Sequence, residues 1–176
     1  MMQELINLKT YILEARYEEA LALVDKLEAM SKQAILRTIQ SHLTILIIHL
    51  IKNQVEQRLT GFWVNSIRNS MREIKKLNLK DNKTSYYIKQ DEWEKLIEEE
   101  VMEDAIAAAS EDVLEGQYNQ FQLSKLVDRN PIIEITSKFL HLTYSHSAKE
   151  LPTVVAETLI QLPGGEDWIN RKQPDR

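Results

Sequence analysis

Apolar residues recur at helical spacing along most of the chain. Near the N-terminus, Leu5, Leu8 and Ile12 are three and four residues apart, as expected for one face of an α-helix. The same spacing returns over residues 18–30, after a short break at residues 15–17. Two short amphipathic helices with a tight connection predict an αα-hairpin at the start of the chain.

The longest apolar pattern runs from Gln33 to Asn53, and we expect a helix boundary before it, with Ser31 as the N-cap. Its apolar positions cover a wide stripe made of Ile35, Leu36, Ile39, Leu43, Leu46, Ile47, Leu50 and Ile51. A helix that is hydrophobic over most of its circumference belongs inside a protein. The pattern therefore predicts an all-α fold, a single bundle of about six to eight helices around Gln33–Asn53.

Five further segments complete the predicted bundle. Helical spacing appears at residues 62–77, 91–108, 121–127, 132–142 and 152–162. The clearest stripe among them consists of Trp63, Ile67, Met71, Ile74 and Leu77. We predict one helical domain over residues 1–163, followed by a mobile C-terminal tail at residues 164–176 that Pro163 and two glycines introduce.

Composition supports long helices and narrows the chemistry. Only four glycines and four prolines occur, and there is no cysteine, which excludes disulfides, thiolate metal sites and a cysteine nucleophile within this chain. The first residues lack a basic stretch before an apolar run, so no secretory signal is predicted. Leu43–Ile51 is shorter than the ~20 apolar residues of a membrane span. We therefore predict a cytoplasmic protein without membrane contact.

Two histidines on the long apolar helix are candidate functional residues. His42 and His49 are seven residues apart, which places them about 10 Å apart along one side of a helix. That distance is too long for both to bind one metal ion. A buried histidine that is hydrogen-bonded to a neighbouring helix is the more common situation, and an enzymatic role is the alternative.

A basic stripe made of Arg68, Arg72, Lys75 and Lys76 follows one side of the predicted helix at residues 62–77. It is the best sequence argument for phosphate or nucleic-acid binding. The net charge of −5 and the lack of interleaved aromatic residues disfavour nucleic acid. The stripe could instead face the acidic stretch Glu98–Asp104, or simply contact solvent.

No catalytic or cofactor motif is present. The four glycines do not form a phosphate-binding loop, and no histidine pair has the four-residue spacing of a helical zinc site, so we predict no cofactor and no metal. The most favoured function is a protein–protein interaction or structural module, with a protein partner or a homo-oligomer. The alternatives are a phosphate binder at the basic stripe and an enzyme near His42 and His49. The candidate residues are His42, His49, Trp63, Arg68, Arg72 and Lys75.

Several of these residues also carry a family resemblance. The segment Ser41–Lys52 reads Ser-His-Leu-Thr-Ile-Leu-Ile-Ile-His-Leu-Ile-Lys, and Trp63, Ile67, Arg72 and Ile74 follow it. This pattern resembles the bacterial, chiefly cyanobacterial, family known as domain of unknown function 29, over residues 15–112. The resemblance implies an all-helical domain and no assigned activity. Where that family often has an aromatic–Gln–Pro stretch, this chain has Asn-Gln-Val-Glu at residues 53–56.

Overall fold

The fold is all-α, as predicted. The computed structural model describes residues 1–171, and within that range the only β-pairing is an isolated bridge between Leu79 and Tyr86. The α-helices are α1 (Met2–Leu13), α2 (Tyr17–Glu56), α3 (Gly61–Asn78), α4 (Trp93–Leu96), α5 (Met102–Ser110), α6 (Gln120–Leu126), α7 (Arg129–Ser145), α8 (Leu151–Ile160) and α9 (Gly165–Ile169). A π-helical segment, Ile97–Val101, links α4 to α5, and 3₁₀ turns lie at Gln90–Glu92 and Val113–Gly116.

The contacts between residues divide the chain into two compact units, Met1–Thr38 and a second unit that begins at Ile39. Helix α2 contributes residues to both. The single domain expected over residues 1–163 stays a prediction.

The first unit is the predicted αα-hairpin. Ala15 adopts a left-handed backbone with φ of 57°, and the N–H of Arg16 donates to the Tyr11 carbonyl at 2.8 Å, which ends α1. The N-terminal ammonium binds the carboxylate of Glu4 at 2.6 Å, and this hydrogen bond is the main reason why the pKa of Glu4 is lowered. The hairpin turn was predicted correctly.

The expected boundary at Met30–Ser31 was wrong. Helix α2 continues from Tyr17 to Glu56 and contains the predicted helix Gln33–Asn53 as its C-terminal part. No glycine or proline occurs in α2, so no residue in it forces the helix to end. Ser31 lies inside a regular helix, where a serine has a modest propensity cost and needs no N-cap role.

The second unit is built around the apolar residues of α2 from Ile39 onward. Its fully buried side chains in α2 are Ile39, Leu43, Leu46, Ile47 and Ile51. Helix α3 adds the predicted stripe, with Trp63, Ile67, Met71 and Ile74 at no more than 4% exposure. Helix α3 packs against α7 and α8, and α5 packs against α6. The long apolar helix is therefore the core of this unit, as the pattern predicted.

A buried polar network joins α3, α4 and α7. The indole Nε1 of Trp93 donates to the hydroxyl of Tyr144 at 2.7 Å, and that hydroxyl donates to the Ile88 carbonyl at 2.6 Å. Asn78 donates to the same carbonyl at 2.9 Å and accepts from the Ile88 N–H at 2.7 Å. Because each polar group finds a partner, the segment between α3 and α4 is fixed against the core.

The segment from residue 164 to residue 169 is not a free tail. Gly164 has φ of 75° and precedes α9, which packs against α8. Asn53 explains part of this arrangement, because its Nδ2 donates to the carbonyls of Arg58 and Pro163, at 3.0 and 2.8 Å. Within the predicted tail, residues 172–176 lie outside the described residues.

Helix α2 is long and apolar enough, by length and composition, to cross a membrane. An 18-residue stretch of α2 has a mean hydropathy of 1.5, and 39% of that stretch is buried. The core helix of a globular protein can be equally long and apolar. The apolar residues from Ile39 to Ile51 pack inside the second unit, so the hydropathy of α2 has a structural explanation there.

Candidate functional site

A polar cleft lies where α2 ends, α3 begins and the segment after α5 turns back. Its volume is about 350 Å³. It is lined by Lys52, Glu56, Arg58, Trp63, Asp112, Leu114, Glu115 and Gln117. Two cations, three carboxylates and one indole therefore share a small concave space, which is the type of lining that fixes the orientation of a small polar ligand.

Lys52 is the most unusual residue of the cleft, because it is only 6% exposed. Its ammonium group binds the carboxylate of Asp112 and lies 4.8 Å from the centre of the Trp63 ring. A buried charge needs such partners, because removing an ammonium from water costs several kcal/mol. The side chain of Asp112 is 67% exposed, so the ion pair joins a buried cation to a solvated anion.

Trp63 forms the wall of the cleft. The backbone N–H of Trp63 donates to the Oγ1 of Thr60 at 3.1 Å, and Thr60 is thereby the N-cap at which α3 begins. The guanidinium of Arg58 lies 4.7 Å from the centre of the same ring and binds the Oε1 of Glu56 at 2.9 Å. Both cations of the cleft are thus held over one indole, an arrangement stabilised by the negative face of the aromatic ring.

His49 lies behind the cleft, one turn before Lys52. It is 7% exposed, and its ring centre is 6.4 Å from that of Trp63 and 6.3 Å from that of Phe62. Its Nδ1 has no hydrogen-bond partner among residues 1–171. Burial, and then the positive charge of Lys52, lower the pKa of His49 from 6.5 to about 4. The imidazole is therefore neutral in the folded protein at neutral pH.

This shift predicts a pH-dependent stability. Between pH 6.5 and about 4 the unfolded chain binds a proton at His49 that the folded protein does not bind, so the free energy of unfolding falls as the pH falls through that range. Well above pH 6.5 His49 is neutral in both the folded and the unfolded state, so it does not make the free energy of unfolding depend on pH. Urea unfolding at about pH 7 and about pH 5 should show a loss of roughly 1–2 kcal/mol that His49→Gln lacks. Equal losses in the two proteins would contradict this assignment.

The backbone around the cleft contains unusual conformations. Gln57, Leu114 and Glu115 have positive φ values of 53°, 48° and 58°, and Gly116 follows with 74°. Residues with side chains rarely adopt the left-handed region, and each such residue costs on the order of 1–3 kcal/mol. Leu114 and Glu115 line the cleft, and Gln57 lies between two lining residues, Glu56 and Arg58. This clustering supports a functional interpretation of the region.

The structure does not unite the two predicted histidines. His42 is partly buried, two helical turns before His49 on α2, and it does not line the cleft. No group of three potential metal-binding side chains occurs within the described part of the chain. Only His49 and Trp63, of the six predicted candidates, belong to the cleft region.

The basic stripe is partly used for internal contacts. Lys75 donates to the Thr143 carbonyl at 2.7 Å, and the guanidinium of Arg68 lies 5.9 Å from the centre of the Trp168 ring. Arg72 is exposed and donates to Asn69 at 2.7 Å. In the acidic stretch Glu98–Asp104, Glu100 accepts a hydrogen bond from Gln40 and Glu103 binds Arg129, so these two carboxylates pair with residues outside the basic stripe.

Sequence reasoning missed Lys52 and Asp112. Lys52 stood in the motif of the family resemblance but was not selected, although it is a single charge directly after the apolar run that ends at Ile51. That position was the available signal. The sequence does not distinguish Asp112 from the other acidic residues around it. Its role depends on the fold, which brings it to Lys52 on α2.

A second candidate surface is the exposed apolar side of the hairpin. Helix α1 has no buried residue. Leu5, Ile6, Ile12 and Leu13 are between 51% and 76% exposed, and in α2 Tyr17 is 63% exposed. Large apolar patches on a protein surface commonly mark sites of association, so this side of the hairpin is a candidate.

Comparisons of the chain with protein families, with curated proteins and with solved structures gave no match. The resemblance to the family known as domain of unknown function 29 stays a prediction.

Proposed function

We propose that this chain is a protein–protein interaction module that associates with a second copy of itself through the N-terminal hairpin. The observation that supports this proposal is the exposure of α1. All of its large apolar side chains are at least partly exposed, and none of its residues is buried. A cytoplasmic location, consistent with the absence of cysteine, is part of the same proposal.

The size of the hairpin favours a second copy. The first unit has 38 residues, Met1–Thr38, and its buried apolar residues are Ala20 and Leu23 alone. Chains below about 40 residues usually need disulfides, metals or oligomerisation to form a stable core. This chain has no cysteine. Two antiparallel helices are half of a four-helix bundle, and a second hairpin would supply the other half.

The charges of the hairpin also permit self-association. Residues 1–38 contain five basic and six acidic side chains, so the segment has a net charge of −1, whereas the whole chain has −5. Arg16 at the turn binds both Glu14 and Glu19, which neutralises the charges there. The exposed apolar side of α1 carries one charged residue, Lys9. Two copies therefore meet with little electrostatic repulsion.

The double variant Leu5→Gln/Ile12→Gln tests the proposal. In a two-fold interface each substitution acts twice, and a buried leucine or isoleucine contributes about 1.5–3 kcal/mol. We expect the dissociation constant of the dimer to rise by roughly a hundredfold or more. Sedimentation velocity over a range of protein concentrations measures it.

Phe121→Gln is the matched control, since Phe121 is 71% exposed but lies on α6 in the second unit. It should leave the dimer unchanged. A wild-type chain that stays monomeric at every concentration overturns self-association, even if another protein binds the same surface. If Phe121→Gln weakens the dimer more than the double variant does, the interface lies elsewhere, and this result also overturns the proposal.

A further inference from the structure

The Lys52 cleft has features that self-association through the hairpin does not explain. Its cation is buried, yet the carboxylate that neutralises it is solvent-exposed. A buried ion pair of this kind is weak evidence for stability, because an apolar pair of similar volume is often as stable or more so. The arrangement therefore needs another reason.

The ammonium of Lys52 is incompletely satisfied. A lysine ammonium has three N–H donors, and within residues 1–171 Lys52 donates to one acceptor, the Oδ2 of Asp112. The same ammonium lies over the face of the Trp63 ring, 4.8 Å from its centre. An anion that enters the cleft can therefore meet a cation that retains donors.

Asp112 can leave Lys52 at small cost. Its side chain is 67% exposed, so water solvates the carboxylate after it turns outward. The next residue, Val113, is fully buried and holds the backbone in place while the side chain moves. Asp112 therefore occupies a position that the carboxylate of a ligand can take.

We propose that the cleft binds a small monocarboxylate, whose anionic group replaces Asp112 on the buried ammonium of Lys52. The ligand carboxylate takes over the pairing with Lys52, and the carboxylate of Asp112 is then solvated by water. A doubly charged phosphate adds a negative charge close to the carboxylates of Glu56 and Glu115 and binds less well. The cavity of about 350 Å³ is at the lower end of the range for small-molecule sites.

The experiment uses the full chain with benzoate as the probe, benzamide as its neutral isostere and inorganic phosphate as the dianion. Binding is followed by the indole ¹H–¹⁵N signal of Trp63, assigned with Trp63→Phe, and by calorimetry. Asp112→Asn removes the internal competitor and should bind benzoate roughly tenfold or more tightly than the wild type does. Asp104→Asn is the control, because it makes the same change in net charge at an exposed residue outside the cleft.

Lys52→Met should abolish benzoate binding, since it keeps an unbranched side chain but removes the charge. Benzamide should leave the Trp63 signal unchanged, and phosphate should bind more weakly than benzoate. The proposal is overturned if Asp112→Asn binds benzoate no more tightly than Asp104→Asn, or if benzamide binds as well as benzoate. If Lys52→Met does not fold, the affinities of Asp112→Asn and Asp104→Asn for benzoate still test the proposal.

Discussion

Replacing Trp93 with alanine is expected to lower the free energy of unfolding by about 3–5 kcal/mol. Trp93 is fully buried, and the substitution leaves a cavity that the surrounding helices cannot fill completely. It also removes the indole N–H that donates to Tyr144 at 2.7 Å. The hydroxyl of Tyr144 keeps its bonds to Asn78 and Ile88, so most of the loss comes from packing.

Two comparisons separate packing from hydrogen bonding at Trp93. Trp168→Ala makes the same substitution at a half-buried tryptophan and should cost clearly less. Tyr144→Phe keeps the packing but removes the hydroxyl, and it should cost about 1–3 kcal/mol because buried partners lose a bond. Urea unfolding followed by circular dichroism measures all three. A Trp93→Ala variant as stable as Trp168→Ala would contradict the described core.

Replacing Gly165 with alanine is expected to destabilise the protein by about 3 kcal/mol, the upper end of the usual cost of overpacking. A Cβ atom at Gly165 would lie 2.1 Å from the Ile160 carbonyl oxygen and 2.5 Å from its carbon. These are backbone atoms at the end of α8, so they cannot rotate away as a side chain does. Helix α9 would have to shift relative to α8.

Gly61→Ala is the matched control for this prediction. There the added Cβ would meet the guanidinium of Arg171 at 2.6 Å, the far end of a flexible side chain. Gly61 lies in the first turn of α3, where alanine has the better helix propensity, so the change should be within about 1 kcal/mol. Equal urea midpoints for Gly165→Ala and Gly61→Ala would show that α9 does not pack against α8 as described.

The helices could be predicted from the sequence because apolar spacing reports directly on burial. The stripe of Trp63, Ile67, Met71 and Ile74 is buried as expected. Helix ends were harder to predict. A boundary was expected at Met30–Ser31 because Ser31 can serve as an N-cap. A residue that can cap a helix does not interrupt one, however, unless another residue prevents the helix from continuing. Gly165 belongs to a helix although Pro163 and Gly164 precede it, because the contact with α8 fixes the chain there.

The cleft could be predicted only in part. Trp63 and His49 were candidates because of their residue types and the apolar helix around them. The pairing of Lys52 with Asp112 joins residues 60 positions apart, and no local pattern encodes it. The left-handed conformations of Leu114 and Glu115 gave no signal either, since neither residue type favours them. Such features follow from tertiary contacts and appear only in the structure.

Hydrogen exchange of the α1 amides tests the central claim, self-association through the hairpin, most directly. The full chain is measured at low and at high protein concentration, alongside Leu5→Gln/Ile12→Gln. We predict that the amides of Met2–Leu13 are protected at high concentration, and that dilution or the double variant removes the protection while α3 stays protected. Exchange of α1 that responds to neither concentration nor the double variant would contradict the account.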